Sequence, residues 1–347
     1  AHVNDLCSRL AALCPSRSSR AAALLVGASS NSSDDMAAHA GGSADVAGAP
    51  DIFALRKCVE MYDASIEPVM PIVGAIVEAF QAAFLDDRDI CRGKTANEQE
   101  EKERCQFLDI GCGSGSFTLK YLVPNLPAWC KRLVGADKSE LQLQFARENR
   151  ADPRIDYQAL DLMSDDDVAR FVREQGRFQR VFSFLMLQWV ADQRHAMRNI
   201  ESLIAPGGEC FLLFSDKLNA HEVLMAARNS PRWSKYSHLL DDVIPETTLI
   251  DDMMSLRTYA AQLVSATNLV PLACEILHCT KPISFKKDVS VEFYTLMNPI
   301  NDHLQDDEKQ ELQKFTQLTL EDIKKNGVGS PKKGRRFIVI HAYKPLK

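Results

Sequence analysis

Residues 107–115 read FLDIGCGSG. A strand-like apolar run, Phe107 to Ile110, passes straight into glycines at alternate positions, Gly111, Gly113 and Gly115. Glycine accepts the left-handed backbone of a tight turn and lets a ligand approach the main chain, and the start of a following helix offers it N–H groups. The stretch predicts a nucleotide-type cofactor at the carboxyl end of a first strand. Its spacing is GxGxG, whereas the dinucleotide fingerprint has its third glycine one residue later, where Ser116 stands. That difference argues against NAD.

Strand and helix signals alternate onward from this stretch. Strands are expected at 106–111, 132–137, 154–160, 180–186 and 208–215, with helices centred near 120, 145, 170 and 198. Strands too apolar to have a wet face imply a parallel α/β sheet covered by helices on both sides. Upstream, Ala54 to Phe84 has a helical pattern broken at Pro68 and Pro71, and the charged run KTANEQEEKER follows it. Residues 51–104 read as an N-terminal helical cap. After Ser215 the rhythm changes: 219–257, with Pro231, Trp233, Tyr236, Pro245 and the pair Met253–Met254, exceeds what a βαβ plan requires and reads as a helical lid insertion. A helix at 258–269, a strand near 274–285, two helices over 289–325 and a strand at 336–343 complete a single domain spanning 51–347.

Composition narrows the partners. The chain of 347 residues carries a net charge of −6, with KKGRR at 332–336 its one basic run. Nucleic acid is not the expected substrate. Ten cysteines show neither CxxC nor His/Cys metal spacing, which suggests reduced thiols in a cytoplasmic protein and no metal. No apolar run reaches the roughly 18 residues of a membrane span. Residues 1–50, rich in Ala, Ser and Gly with Arg9, Arg17 and Arg20, read as a disordered extension or as translated upstream sequence with Met36 as the start. A targeting segment is the alternative.

In an open α/β sheet, ligands sit beyond the carboxyl ends of the strands. Asp109 precedes the glycines, where a carboxylate can orient the loop or meet an ammonium group. The second strand ends in Asp137, suited to both hydroxyls of a ribose. The third ends in Asp161, suited to an adenine amino group, with the Leu162 N–H donating to the ring. Each acid has a plainer use as a helix N-cap or a solvated residue. Three successive strand ends with matching chemistry point together to an adenosine without a phosphate.

With these residues the chain resembles the class I S-adenosylmethionine-dependent methyltransferases, strongly over 105–215. The resemblance implies a Rossmann-like, seven-stranded, mostly parallel sheet with an antiparallel last strand, matching RRFIVIHAY near the C-terminus. It implies S-adenosyl-L-methionine as cofactor, with Gly111, Gly113 and Gly115 beside its methionine part and Asp137 at the ribose. Asp161 and Leu162 would meet the adenine, and Asp109, Cys112, Lys138, Ser183 and Tyr62 complete the expected cofactor site.

The segment after the fourth strand, LQWVADQ, bears on the methyl acceptor. With GGECFLLF at 207–214 and SPRWSKY at 230–236, it resembles the small-molecule carboxyl methyltransferases, above all the arthropod juvenile hormone acid O-methyltransferases. A carboxylate is already anionic at pH 7, so it needs orientation and dehydration rather than a base. Gln188 and Trp189 are the expected catalytic donors, with a packing Trp and a capping Gln as the plainer reading. Val69, Trp233 and Met225 are expected to join them on the substrate side. One departure stands out: Val69 occupies the place of a Gln with which that family grips the carboxylate. The expected function is transfer of methyl to an apolar acid such as a farnesoic or juvenile hormone acid. The alternatives are another small acceptor, or a cofactor-binding sensor or scaffold that has lost catalysis. Oligomeric state is not legible.

Overall fold

The computed structural model describes residues 56–84, 105–241, 243–280, 287–326 and 334–346. The expectations for residues 1–50, for KTANEQEEKER and for the end of the strand placed at 274–285 fall outside them.

β1 (Gln106–Ile110), β2 (Arg132–Asp137), β3 (Ile155–Ala159), β4 (Phe178–Phe184) and β5 (Ile204–Ser215) pair in parallel. β6 (Val270–Cys279) and β7 (Arg335–Tyr343) close a seven-stranded sheet of order β3-β2-β1-β4-β5-β7-β6, in which β7 runs antiparallel to both neighbours. The order reverses between β1 and β4. Their carboxyl ends therefore flank the crevice where such sheets take ligands.

The central strands are buried on both faces because each alternates between two cores. Leu108, Val134, Val181 and Leu212 face one core, packed by α4 (Asp165–Gln175), α5 (Gln193–Leu203) and α8 (Met253–Ser265). Phe107, Leu133, Phe182 and Phe211 face the other, packed by α2 (Met70–Phe80) through Val73, Ile76, Val77 and Phe80. Each such side chain contributes about 1.5–3 kcal/mol on burial.

Local signals set the helix ends. Ser164 caps α4 by accepting from the Asp167 N–H, and Asp165, Asp166 and Asp167 oppose the helix dipole. Asp192 and Asp252 cap α5 and α8 in the same way. α1 (Arg56–Ile66) is separated from α2 by a turn at Pro68, whereas Pro71 lies in the first turn of α2 and does not break it. α3 (Glu140–Asn149) follows β2, and the helix expected near 120 is a short irregular one with a π-helical segment, Thr118–Leu122. α8 begins at Met253, so the methionine pair belongs to it: Met253 packs on the sheet core and Met254 is exposed.

The segment after β5 forms α6 (Asn219–Asn229), α7 (Ser237–Asp241) and short turns. Leu224, Ala227, Trp233 and Leu240 make a core of their own with Ile300, Leu304 and Leu312, the last on α10 (Asp306–Asn326), which follows α9 (Lys287–Leu296). Trp233 is 2% exposed, edge-on to Phe315. Among the described residues no single helix is long and apolar enough to cross a membrane.

Trp233→Ala is expected to lower the unfolding free energy by about 3–5 kcal/mol, the cost of an aromatic-sized cavity. The urea midpoint reads this; an unchanged midpoint would remove Trp233 from the core.

Candidate functional site

The glycine loop holds its shape through backbone and carboxylate contacts. Gly111, Gly113 and Gly115 have φ of +70°, +53° and +75°, which side chains tolerate poorly. The Gly111 and Cys112 N–H groups both donate to the Ala136 carbonyl, at 2.7 and 3.0 Å. The Asp137 carboxylate accepts from the Gly113 and Ser139 N–H groups, each at 2.9 Å. A Cβ on Gly111 would lie 2.2 Å from Met186 Cγ, and one on Gly115 2.4 Å from the Tyr157 hydroxyl. Those two glycines thus admit protein side chains. At Gly113 the nearest atom among the described residues is Gln142 Oε1 at 3.7 Å, an ordinary contact distance, so a side chain there would displace no protein group.

A cleft lies over this loop. Its walls are Tyr62 and Ile66 of α1, Asp109, Gly111 to Ser114, Ser116 and Phe117, Phe184 at the end of β4 and Leu185 just after it. It encloses ≈ 20 Å³, room for about one water molecule. α1 is held down by polar contacts. Ser114 Oγ donates to Asp63 Oδ1 at 2.5 Å, while Arg150 reaches both Asp63 and Ser116 at 3.3 and 3.2 Å. Leu185, with φ of +55°, is a strained non-glycine residue of the kind that marks functional sites. A larger groove of ≈ 720 Å³ between α4 and α5 shares no residue with this cleft.

Asp109 is buried and accepts from Thr118 Oγ1 at 2.6 Å. Burial pushes its pKa up to about 7, against the stabilising hydrogen bond from Thr118. Burial also raises the Tyr62 phenol and the Cys112 thiol. Along the edge from Asp137, Lys138 is exposed, while Ser139 Oγ and Gln142 Oε1 are buried without hydrogen-bond partners among the described residues. Asp161 is exposed and accepts from the Met163 N–H at 2.9 Å; Leu162 is buried, its carbonyl accepting from Asn199.

The structure thus gathers Tyr62, Asp109, Gly111, Cys112 and Gly113 around one cleft, with Asp137 bound to the loop beside it. The Ser183 hydroxyl donates to the Ile110 carbonyl at 3.0 Å, tying β4 to β1, and does not line this cleft. Sequence reasoning missed Asp63, Ser114, Ser116, Ser139, Gln142 and Arg150. Ser114 and Ser116 sit between and beside the glycines, the only signal that pointed to any of the six.

The expected acceptor residues divide. Gln188 Oε1 accepts from the Ser215 N–H at 2.9 Å, tying the turn after β4 to the end of β5. Val69 is buried at the start of α2 within the sheet core, and Trp233 and Met225 pack in the helical segment's own core. These three do not line the cleft. Trp189 differs: its ring packs with Tyr62, Met61, Phe293, Tyr294 and Met297. Its Nε1 is buried beside the Tyr62 hydroxyl, where it favours the phenolate, yet it makes no hydrogen bond of good geometry.

A family model described as a methyltransferase domain matches residues 108–212. Juvenile hormone acid O-methyltransferase of Bombyx mori is 32% identical over 139 residues, covering 40% of this chain and 48% of the relative. Its Drosophila melanogaster counterpart is 32% identical over 141 residues, covering 40% and 46%. Malonyl-[acyl-carrier protein] O-methyltransferase of Erwinia pyrifoliae is 33% identical over 110 residues, covering 32% and 36%. The chain spans about half the length or less of these curated relatives. Among solved structures, an S-adenosylmethionine-dependent methyltransferase from Anabaena variabilis overlaps with a TM-score of 0.43 at 12% identity, covering 82% of this chain and 86% of that one. Residues 108–212 thus match a methyltransferase domain and lie within the sheet described above.

The donor and acceptor set fits S-adenosylmethionine. Asp109 suits an ammonium group, Asp137 suits vicinal hydroxyls, and the orphaned Ser139 and Gln142 oxygens fringe Gly113. An ammonium beside Asp109 favours its ionised form, so binding releases a proton wherever the free carboxyl is protonated. Affinity for S-adenosylhomocysteine is therefore expected to rise from pH 6 to pH 8 and to level off above it, with the slope abolished in Asp109→Asn. Calorimetric titration at several pH values measures this; a flat wild-type profile contradicts it.

Proposed function

We propose that this chain transfers a methyl group from S-adenosylmethionine to the carboxylate of a small apolar acid, of the farnesoic or juvenile hormone acid kind. The carrying observation is the buried Trp189 N–H, which makes no hydrogen bond of good geometry and sits beside the Tyr62 hydroxyl, in the wall of the cofactor cleft. A buried donor left unsatisfied costs about 1–3 kcal/mol, and an acceptor oxygen at that point would satisfy it.

When bound, S-adenosylmethionine supplies a sulfonium methyl; a carboxylate oxygen forms the new C–O bond as the C–S pair returns to sulfur. The chain's part is placement. Tyr62 and Ile66 shut the cleft against water, the Trp189 N–H orients the acceptor, and the Gln188 side chain fixes the Trp189 turn through Ser215. An anionic acceptor requires no proton to be removed. The relatives named for carboxylate acceptors agree with this direction. Another small acceptor is the second reading, favoured by Val69 standing where an amide was expected and lying in the core.

Trp189→Phe keeps the ring and removes the donor. It is expected to lower kcat by about 10²-fold and to change S-adenosylhomocysteine affinity less than about three-fold. Transfer of labelled methyl to isoprenoid and fatty acids measures this; wild-type protein that esterifies none of them contradicts the reading.

A further inference from the structure

A carboxylate has two oxygens, and Val69 offers no donor for the second. We propose that His221 supplies it, so that the acceptor carboxylate is gripped between Trp189 Nε1–H and His221 Nε2–H while its apolar body lies among Met61, Phe293 and Met297. This inference rests on the carboxylate reading above.

His221 stands in the first turn of α6, fully buried, its ring edge-to-face with Trp189 at 5.7 Å between centroids. The Leu218 N–H donates to its Nδ1 at 3.3 Å, and Thr248 Oγ1 lies 3.2 Å from the same nitrogen. A backbone N–H can only donate, so Nδ1 carries the lone pair and the proton of the neutral ring sits on Nε2. Burial holds the ring neutral by pushing its pKa down to about 4, although hydrogen bonding to the Gln188 backbone carbonyl, which a ring N–H would donate, acts the other way. Nε2 makes no hydrogen bond of good geometry among the described residues, and neither does Trp189 Nε1. Ser215 Oγ and Asn219 Oδ1 share that condition. Four buried polar atoms without partners therefore lie on three successive pieces of chain: the turn after β4, the end of β5 and the start of α6.

The apolar half of the site has its own signature. Met61 of α1 with Phe293 and Met297 forms a small cluster that belongs to neither sheet core and packs on Trp189. Methionine side chains rearrange around ligands of different shape, and this cluster joins α1 to the segment around α9. An acid entering from this side would displace Met61 and Met297, bringing its head to the two N–H groups.

The test is calorimetric binding of farnesoic acid and of farnesol to protein loaded with S-adenosylhomocysteine. Wild-type protein is expected to prefer the acid. His221→Phe should weaken the acid roughly ten-fold or more, the usual loss for a hydrogen bond to a charged group, and leave farnesol unchanged. His221→Gln, which keeps an N–H donor, should retain most of the preference. If His221→Phe fails to bind S-adenosylhomocysteine, His221→Met takes its place in the same comparison. Acid affinity unchanged in the substituted protein, or acid and alcohol weakened alike, overturns the role of His221 and leaves the carboxylate reading standing. Wild-type protein that binds neither, or prefers the alcohol, overturns both.

Discussion

The site depends on a main chain bent three times into the left-handed region between Ile110 and Ser116. The bend is held from β2 by the Ala136 carbonyl, which receives two N–H groups, and by Asp137, which receives two more. Without glycine at 111 and 115, Met186 and Tyr157 would have no place. With them packed there, the loop is a rigid floor rather than a flexible tether. Gly113, at the centre, is the one of the three at which a side chain would displace no protein group.

The same economy explains the walls. α1 has little of the sheet core to itself, and polar contacts from Asp63 to Ser114 and Arg150 hold it over the cleft. Such part-exposed pairs contribute modestly to stability. Among the described residues, the buried polar atoms without hydrogen bonds of good geometry include two groups, Ser139 and Gln142 beside the loop and Trp189, Ser215, Asn219 and His221 at the ends of β4 and β5 and the start of α6, while Thr247, Asn298 and Thr316 carry others elsewhere. Desolvated groups of this kind are costly to leave unmade, and the two groups lie where the cofactor and acceptor are expected.

The sheet was legible because its strands are buried on both faces, leaving apolar runs bounded by turn signals. β6 was less so: its start at Val270 is exposed and carries Pro271, so the pattern began several residues late. Asp137 was legible from its interval to the glycines. The structure adds that its carboxylate braces the loop by accepting from the Gly113 and Ser139 N–H groups. Trp233 and Met225 misled because an apolar lid and a lid with its own core have the same composition. His221 was invisible, since a lone histidine in a helical run carries no pattern. Its interest comes from the tautomer that Leu218 imposes and from its distance to Trp189, which are facts of tertiary structure.

The central claim is that the glycine loop and Asp137 together hold an adenosyl cofactor. Calorimetric titration of S-adenosylhomocysteine into the purified chain, beside Asp137→Ala checked for an intact fold, tests it most directly. The account predicts one site per chain in the wild type and affinity weakened at least about ten-fold in the variant, the loss of hydrogen bonds to a charged acceptor. A folded wild-type protein that takes up no S-adenosylhomocysteine, or an Asp137→Ala protein that binds it equally well, would contradict it.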